Sequence, residues 1–163
     1  MTIAFCCGST GRSVLALAAG LLSALPAAAD PSFRSLAGTW RGEGRVQLAS
    51  GQSEALSCKA YFTAKDEGAT LGIALACASA SNKIDLRASL QNNGAGISGT
   101  WEERSFNSTG DVRGAADGDR IDLTITGTIE ATMSITLEGQ SQLISISTDG
   151  KGFKSVDLEL QRG

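Results

Sequence analysis

Four cysteines and no histidine bound the chemistry open to this chain of 163 residues. Without imidazole there is no Ser-His-Asp triad, no Cys-His dyad and no histidine-ligated haem, and most zinc sites are excluded. Cys6 and Cys7 lie near the start of the chain. Cys58 and Cys77 stand in its body and form no Cys-x-x-Cys motif. An even pair of this kind reads as a disulfide in an oxidising compartment, ahead of a metal or redox site.

Carboxylates are the next groups with catalytic or metal-binding reach. The candidates are Glu102, Glu103, Asp117, Asp119 and Asp122. Asp117-Gly118-Asp119 with Asp122 has the beginning of a calcium loop but lacks the further oxygen ligands and distal glutamate of an EF-hand. It reads as a solvated hairpin turn. A glycosidase needs two carboxylates facing each other across a cleft, and no spacing here places a pair that way. Serine is abundant, yet no Gly-x-Ser-x-Gly elbow, Ser-Lys motif, phosphate loop or nucleotide fingerprint occurs. Asn107-Ser108-Thr109 fits a glycosylation sequon and reads as a loop. No catalytic residue, metal ligand or cofactor is expected, so the chain reads as a non-enzyme.

The N-terminal segment sets the compartment. Arg12 is followed by an apolar run from Val14 to Leu25, broken only by Gly20 and Ser23, and then by Pro26-Ala27-Ala28-Ala29-Asp30. A basic residue, a short apolar stretch and an Ala-x-Ala site make a secretory signal peptide over 1–29, with cleavage expected after Ala29. Cys6 and Cys7 precede the apolar run and leave with it, so no lipid anchor is indicated. The domain then spans 30–163, in the periplasm or outside the cell. Setting Arg12 aside from 14 basic residues leaves 13 against 17 acidic ones, a net charge near −4. That balance argues against nucleic acid as a partner. No second apolar run is long enough for a membrane helix, so no transmembrane segment is expected after cleavage.

Behind Asp30 the pattern first suggests one helical turn, with Asp30 as cap, Pro31 at the first position, and Phe33 and Leu36 on one face. From Thr39 onward the period becomes two. Ile84, Leu86, Ala88 and Leu90 alternate with polar residues, as do Ile121, Leu123 and Ile125, and Val156, Leu158 and Leu160. These are strands with one buried and one wet face. Turn-forming residues recur at about 8 to 14 residue intervals, which predicts an antiparallel meander of about ten strands. An up-and-down barrel of 8–10 strands leaves no open edge. A two-sheet β-sandwich is the alternative.

One hairpin fixes its own register. A two-residue loop at Glu67-Gly68 sets Phe62 opposite Ile73, Ala60 opposite Leu75, and Cys58 opposite Cys77. All three pairs fall on the apolar face. A bridge there should stabilise the domain by roughly 3 kcal/mol through loop-closure entropy. Alternation fits either a barrel with an apolar interior or an outer-membrane barrel with an apolar exterior. The few aromatic residues, the short strands and a disulfide on the apolar face favour the first.

The stretch Gly38-Thr39-Trp40-Arg41-Gly42-Glu43-Gly44 resembles the first-strand motif of calycin barrels, the group of lipocalin and nitrobindin-like proteins. In lipocalin-like barrels the tryptophan packs across the closed end under an arginine from the last strand. The resemblance therefore implies a barrel-closing contact between Trp40 and Arg162, which is in phase with Leu158 and Leu160. Nitrobindin-like proteins bind haem through histidine, so haem is not carried over. Gly99-Thr100-Trp101 repeats Gly38-Thr39-Trp40. Trp101 is taken as a second barrel-closing tryptophan with a glycine relieving strand crowding; a tryptophan flanking a pocket is the alternative. The chain from Asp30 onward is also similar to small exported proteins of alphaproteobacteria, with a paired-cysteine hairpin and a later Ser-Gly-Thr-Trp, and this similarity brings no activity.

These features lead to a non-enzymatic exported barrel that binds a small apolar molecule or an envelope protein. The interior could instead be full, packed by Leu71, Ile73, Leu123, Ile135 and Leu158. The alternative function is a protein–protein module of the envelope, such as a protease inhibitor. An ordered N-terminal segment projecting from the barrel would mark it.

Overall fold

The computed structural model describes residues 33–94 and 96–163. The expected signal segment and Asp30-Pro31-Ser32 lie outside the described residues. A 3-10 turn, Phe33–Leu36, opens the described chain. Ten strands follow: β1 (Gly38–Leu48), β2 (Ser53–Lys65), β3 (Thr70–Ala78), β4 (Lys83–Asn92) and β5 (Ile97–Glu103), then β6 (Ser108–Asp117), β7 (Arg120–Gly127), β8 (Ala131–Glu138), β9 (Ser141–Thr148) and β10 (Phe153–Arg162). Each is antiparallel to the next, and β10 pairs with β1. The sheet is one closed up-and-down barrel; the two-sheet sandwich does not form.

The alternation expected from the sequence becomes an inside and an outside. On β2, Leu56, Cys58, Ala60 and Phe62 are buried while their neighbours are exposed. On β10, Val156, Leu158 and Leu160 point inward between exposed Asp157, Glu159 and Gln161. The apolar face is thus the barrel interior, and the outer wall carries charge. No helix among the described residues is long and apolar enough to cross a membrane.

The β2–β3 hairpin has the expected pairing, with Phe62 facing Ile73, Ala60 facing Leu75 and Cys58 facing Cys77. The loop itself is longer than two residues. Lys65 pairs with Thr70, and Asp66 and Glu67 both take positive φ. The loop grew symmetrically about Glu67-Gly68, so the register was preserved. The two sulfurs form a disulfide, with Cα atoms 4.2 Å apart.

The seam between β1 and β10 depends on a missing side chain. A Cβ on Gly42 would overlap the Glu159 carbonyl, so the two strands approach this closely only around glycine. Because the chain runs up and down, the loops divide between two ends. The loops leaving β1, β3, β5, β7 and β9 ring one end. The others ring the opposite end together with the 3-10 turn.

Candidate functional site

The end capped by the 3-10 turn is closed. Phe33 and Leu36 are buried there. The Trp40 indole N–H donates to the Leu36 carbonyl at 2.9 Å, tying β1 to the turn. Arg162 lies over the Trp40 ring, 4.2 Å from its centroid. Its guanidinium also donates to the carbonyls of Ala37 and Ser35, both at 2.6 Å. The last strand, the first strand and the turn before it are therefore fastened by one side chain. Leu71, Ile135 and Leu160 are fully buried in the adjoining packed layer.

Toward the other end the interior is not full. A cavity of about 400 Å³ lies between the strands and opens among the loops there. Of the residues expected to fill the barrel, Ile73, Leu123 and Leu158 line this space instead. The wall is otherwise made of residues such as Val46, Leu75, Leu90, Met133 and Ile146. Ser79, Asn82, Ser108 and Lys151 mark the mouth. Phe106 lines the same opening and is 60% exposed. A concave, apolar space of this size, with polar groups at its rim, has the character of a small-molecule site.

Trp101 does not close the barrel beside Trp40. It stands in the cavity wall, in the middle of β5 between Ala88 and Gly110. Its N–H donates to the Thr126 carbonyl at 3.2 Å. A Cβ on Gly110 would collide with that carbonyl and with the indole nitrogen, so the glycine makes room for the ring. The repeated Gly-Thr-Trp thus occupies two levels of the barrel, one at the floor and one in the wall.

The acidic candidates separate. Asp122 pairs with Arg120 at 2.8 Å, and the hydrogen bond from Arg120 holds its carboxyl below the usual range. Glu102 is exposed and 3.9 Å from Arg104. No group of three or more metal-holding side chains occurs among the described residues. Glu103 is different, being 8% exposed and part of the cavity wall. Its carboxylate accepts backbone N–H groups from Asp85 at 2.8 Å, Ser105 at 3.1 Å and Phe106 at 2.6 Å. It organises the β5–β6 loop at the mouth. Period-two counting from Trp101 puts Glu103 on the inner face.

The remaining mouth charges are exposed or paired. Lys151 and Asp149 are 3.0 Å apart, and the hydrogen bond from Lys151 lowers the Asp149 carboxyl. Glu54 reaches across to the β3–β4 loop. The Ser79 and Ser81 hydroxyls hold its carboxyl below the usual range, with Ser81 donating at 2.7 Å.

No protein-family model and no curated protein matches this chain. Solved structures do share its architecture. Rv2717c from M. tuberculosis superposes with a TM-score of 0.61 at 14% identity, covering 80% of this chain and 94% of that one. The S-type phycobiliprotein lyase CPES from Guillardia theta gives 0.55 at 15% identity, covering 80% and 90%. At these identities the likeness is one of fold, and the ten-stranded closed barrel is what the chain shares with them.

Proposed function

We propose that this protein is a non-enzymatic, exported carrier that binds a small, largely apolar molecule inside its barrel. The observation that supports this is the apolar cavity of about 400 Å³ above a sealed floor. A single core of this size had no need to leave such a space, since close packing is the usual state of interiors. Export rests on the N-terminal signal pattern and fits the Cys58–Cys77 bridge, which persists in oxidising compartments. The protease-inhibitor alternative called for a projecting N-terminal segment. The described part of that segment, Phe33 to Leu36, is packed against the barrel end, which favours the carrier reading.

Binding of an apolar fluorescent probe, read by energy transfer from Trp101, tests the proposal. Ala88→Phe places a large ring in the cavity wall without adding a second tryptophan donor beside Trp101, since Ala88 lines the space opposite that residue. It should weaken probe binding about tenfold or more while leaving the strand spectrum unchanged. Undiminished binding in that variant would place the probe outside the barrel and defeat the proposal.

A further inference from the structure

Among the described residues, no basic side chain forms an ion pair with Glu103. It is the one acidic side chain in the cavity wall among the described residues. Its three hydrogen bonds come from peptide N–H groups, which use most of a carboxylate's roughly four acceptor positions but supply no counter-charge. Three basic side chains at this end are engaged elsewhere, and Lys83 and Lys154 are exposed to solvent. Arg87 and Arg104 lie on Asp85, at 3.0 and 3.8 Å, and Lys151 lies on Asp149. Lys151 also lines the mouth, but its side chain is 81% exposed and its field is screened by solvent. A charge in an apolar wall interacts more strongly with an incoming ion than an exposed pair does.

Deeper in the cavity no side chain among the described lining residues is a comparable polar partner, and the unpaired Gln142 amide lies in the packed layer beneath, outside that lining. The Trp101 N–H is already committed to Thr126. A polar group pushed below that level would lose its hydration without replacement, at a penalty of roughly 1–3 kcal/mol. The wall therefore sorts a ligand along its length, apolar part inward and polar part at the level of Glu103.

We propose that the cavity selects single-chain cationic amphiphiles, with the tail among the aliphatic side chains and an ammonium head group at the Glu103 carboxylate. The inference rests on the carrier reading above and adds the charge and orientation of the ligand. Glu103 becomes the specificity-determining residue. Carboxylate-headed chains of equal length are disfavoured by like-charge repulsion.

The test is displacement of a neutral apolar probe by dodecylamine, dodecanol and dodecanoate at neutral pH, below their aggregation thresholds. The amine should bind about tenfold more tightly than the alcohol, as expected for a charge-assisted contact, and the carboxylate should be weakest. Glu103→Gln should bring amine and alcohol to similar affinity, with folding checked by circular dichroism. The ranking in the unmodified protein stands by itself if that variant does not fold. A carboxylate that binds as tightly as the amine overturns the proposal, as does an amine preference retained in folded Glu103→Gln. If the probe binds but none of the chains displaces it, the head-group inference fails and the carrier reading survives. If neither probe nor chains bind, both fail.

Discussion

The guanidinium of Arg162 stacks 4.2 Å from the Trp40 ring centroid while donating to the carbonyls of Ala37 and Ser35. One residue at the end of the chain thus holds the β1–β10 seam and the turn that seals the barrel floor. Arg162→Ala should lower unfolding stability by about 2 kcal/mol, combining a cation–π contact with charge-assisted hydrogen bonds discounted for partial exposure. Arg162→Lys should recover only part of it, because an ammonium cannot form the same planar fork. Urea unfolding of the two variants checks this, and two midpoints equal to that of the unmodified protein would refute it.

Cys58 and Cys77 face each other on neighbouring strands of the inner wall. Protein beginning at Asp30 should therefore show no free thiol in denaturant before reduction. Reduction should remove roughly 3 kcal/mol of stability. Two titratable thiols in unreduced material would contradict the bridge.

Gln142 is completely buried on β9, and neither its amide nitrogen nor its oxygen has a partner among the described residues. Its cross-strand neighbours are Leu160 and Leu137. Gln142→Met, close to it in shape, removes two unsatisfied polar atoms and should stabilise the barrel by about 1–3 kcal/mol. A lower denaturation midpoint would show that the amide is satisfied in solution.

Glu54 ties the β2 edge to the β3–β4 loop at the cavity mouth, and its carboxyl is held below the usual value of 4.5 by serine hydroxyls. A depressed folded-state value means the contribution is present above 4.5 and is lost as pH falls through the folded value. An NMR titration should place Glu54 below that value and show the Ser81 amide resonance moving with it. Ser81→Ala should bring the titration back toward the ordinary range. A Glu54 midpoint at or above 4.5 would disprove the contact.

Much of the architecture was legible because a strand's period is two. Once β2 and β3 alternate around Glu67-Gly68, burying Phe62, Leu75 and Ile73 leaves Cys58 and Cys77 no place but opposite each other. The same logic read β4, β7 and β10 from their apolar residues. It failed on β6, whose inward positions include Gly110, Val112 and Gly114. Glycine carries no apolar signal, and it is needed there because neighbouring backbone and the Trp101 ring leave no room for a side chain. The loop expected at Asn107-Ser108-Thr109 is displaced: Ser108 and Thr109 open β6, and the β5–β6 loop is 104–107, which contains no glycine or proline and relies on Glu103 to gather its N–H groups.

By itself, the sequence determined the strand faces, the pairing of the two cysteines, the charge balance and the exclusion of histidine chemistry. Those are local or compositional properties. Only the tertiary structure decided between the closed barrel and the sandwich, that Trp101 lines a wall rather than closing the barrel, and that the interior keeps a cavity with a single carboxylate among its described lining residues. Each of these depends on which strands meet across the barrel and on how much volume their side chains leave between them. Neither quantity is carried by any one strand.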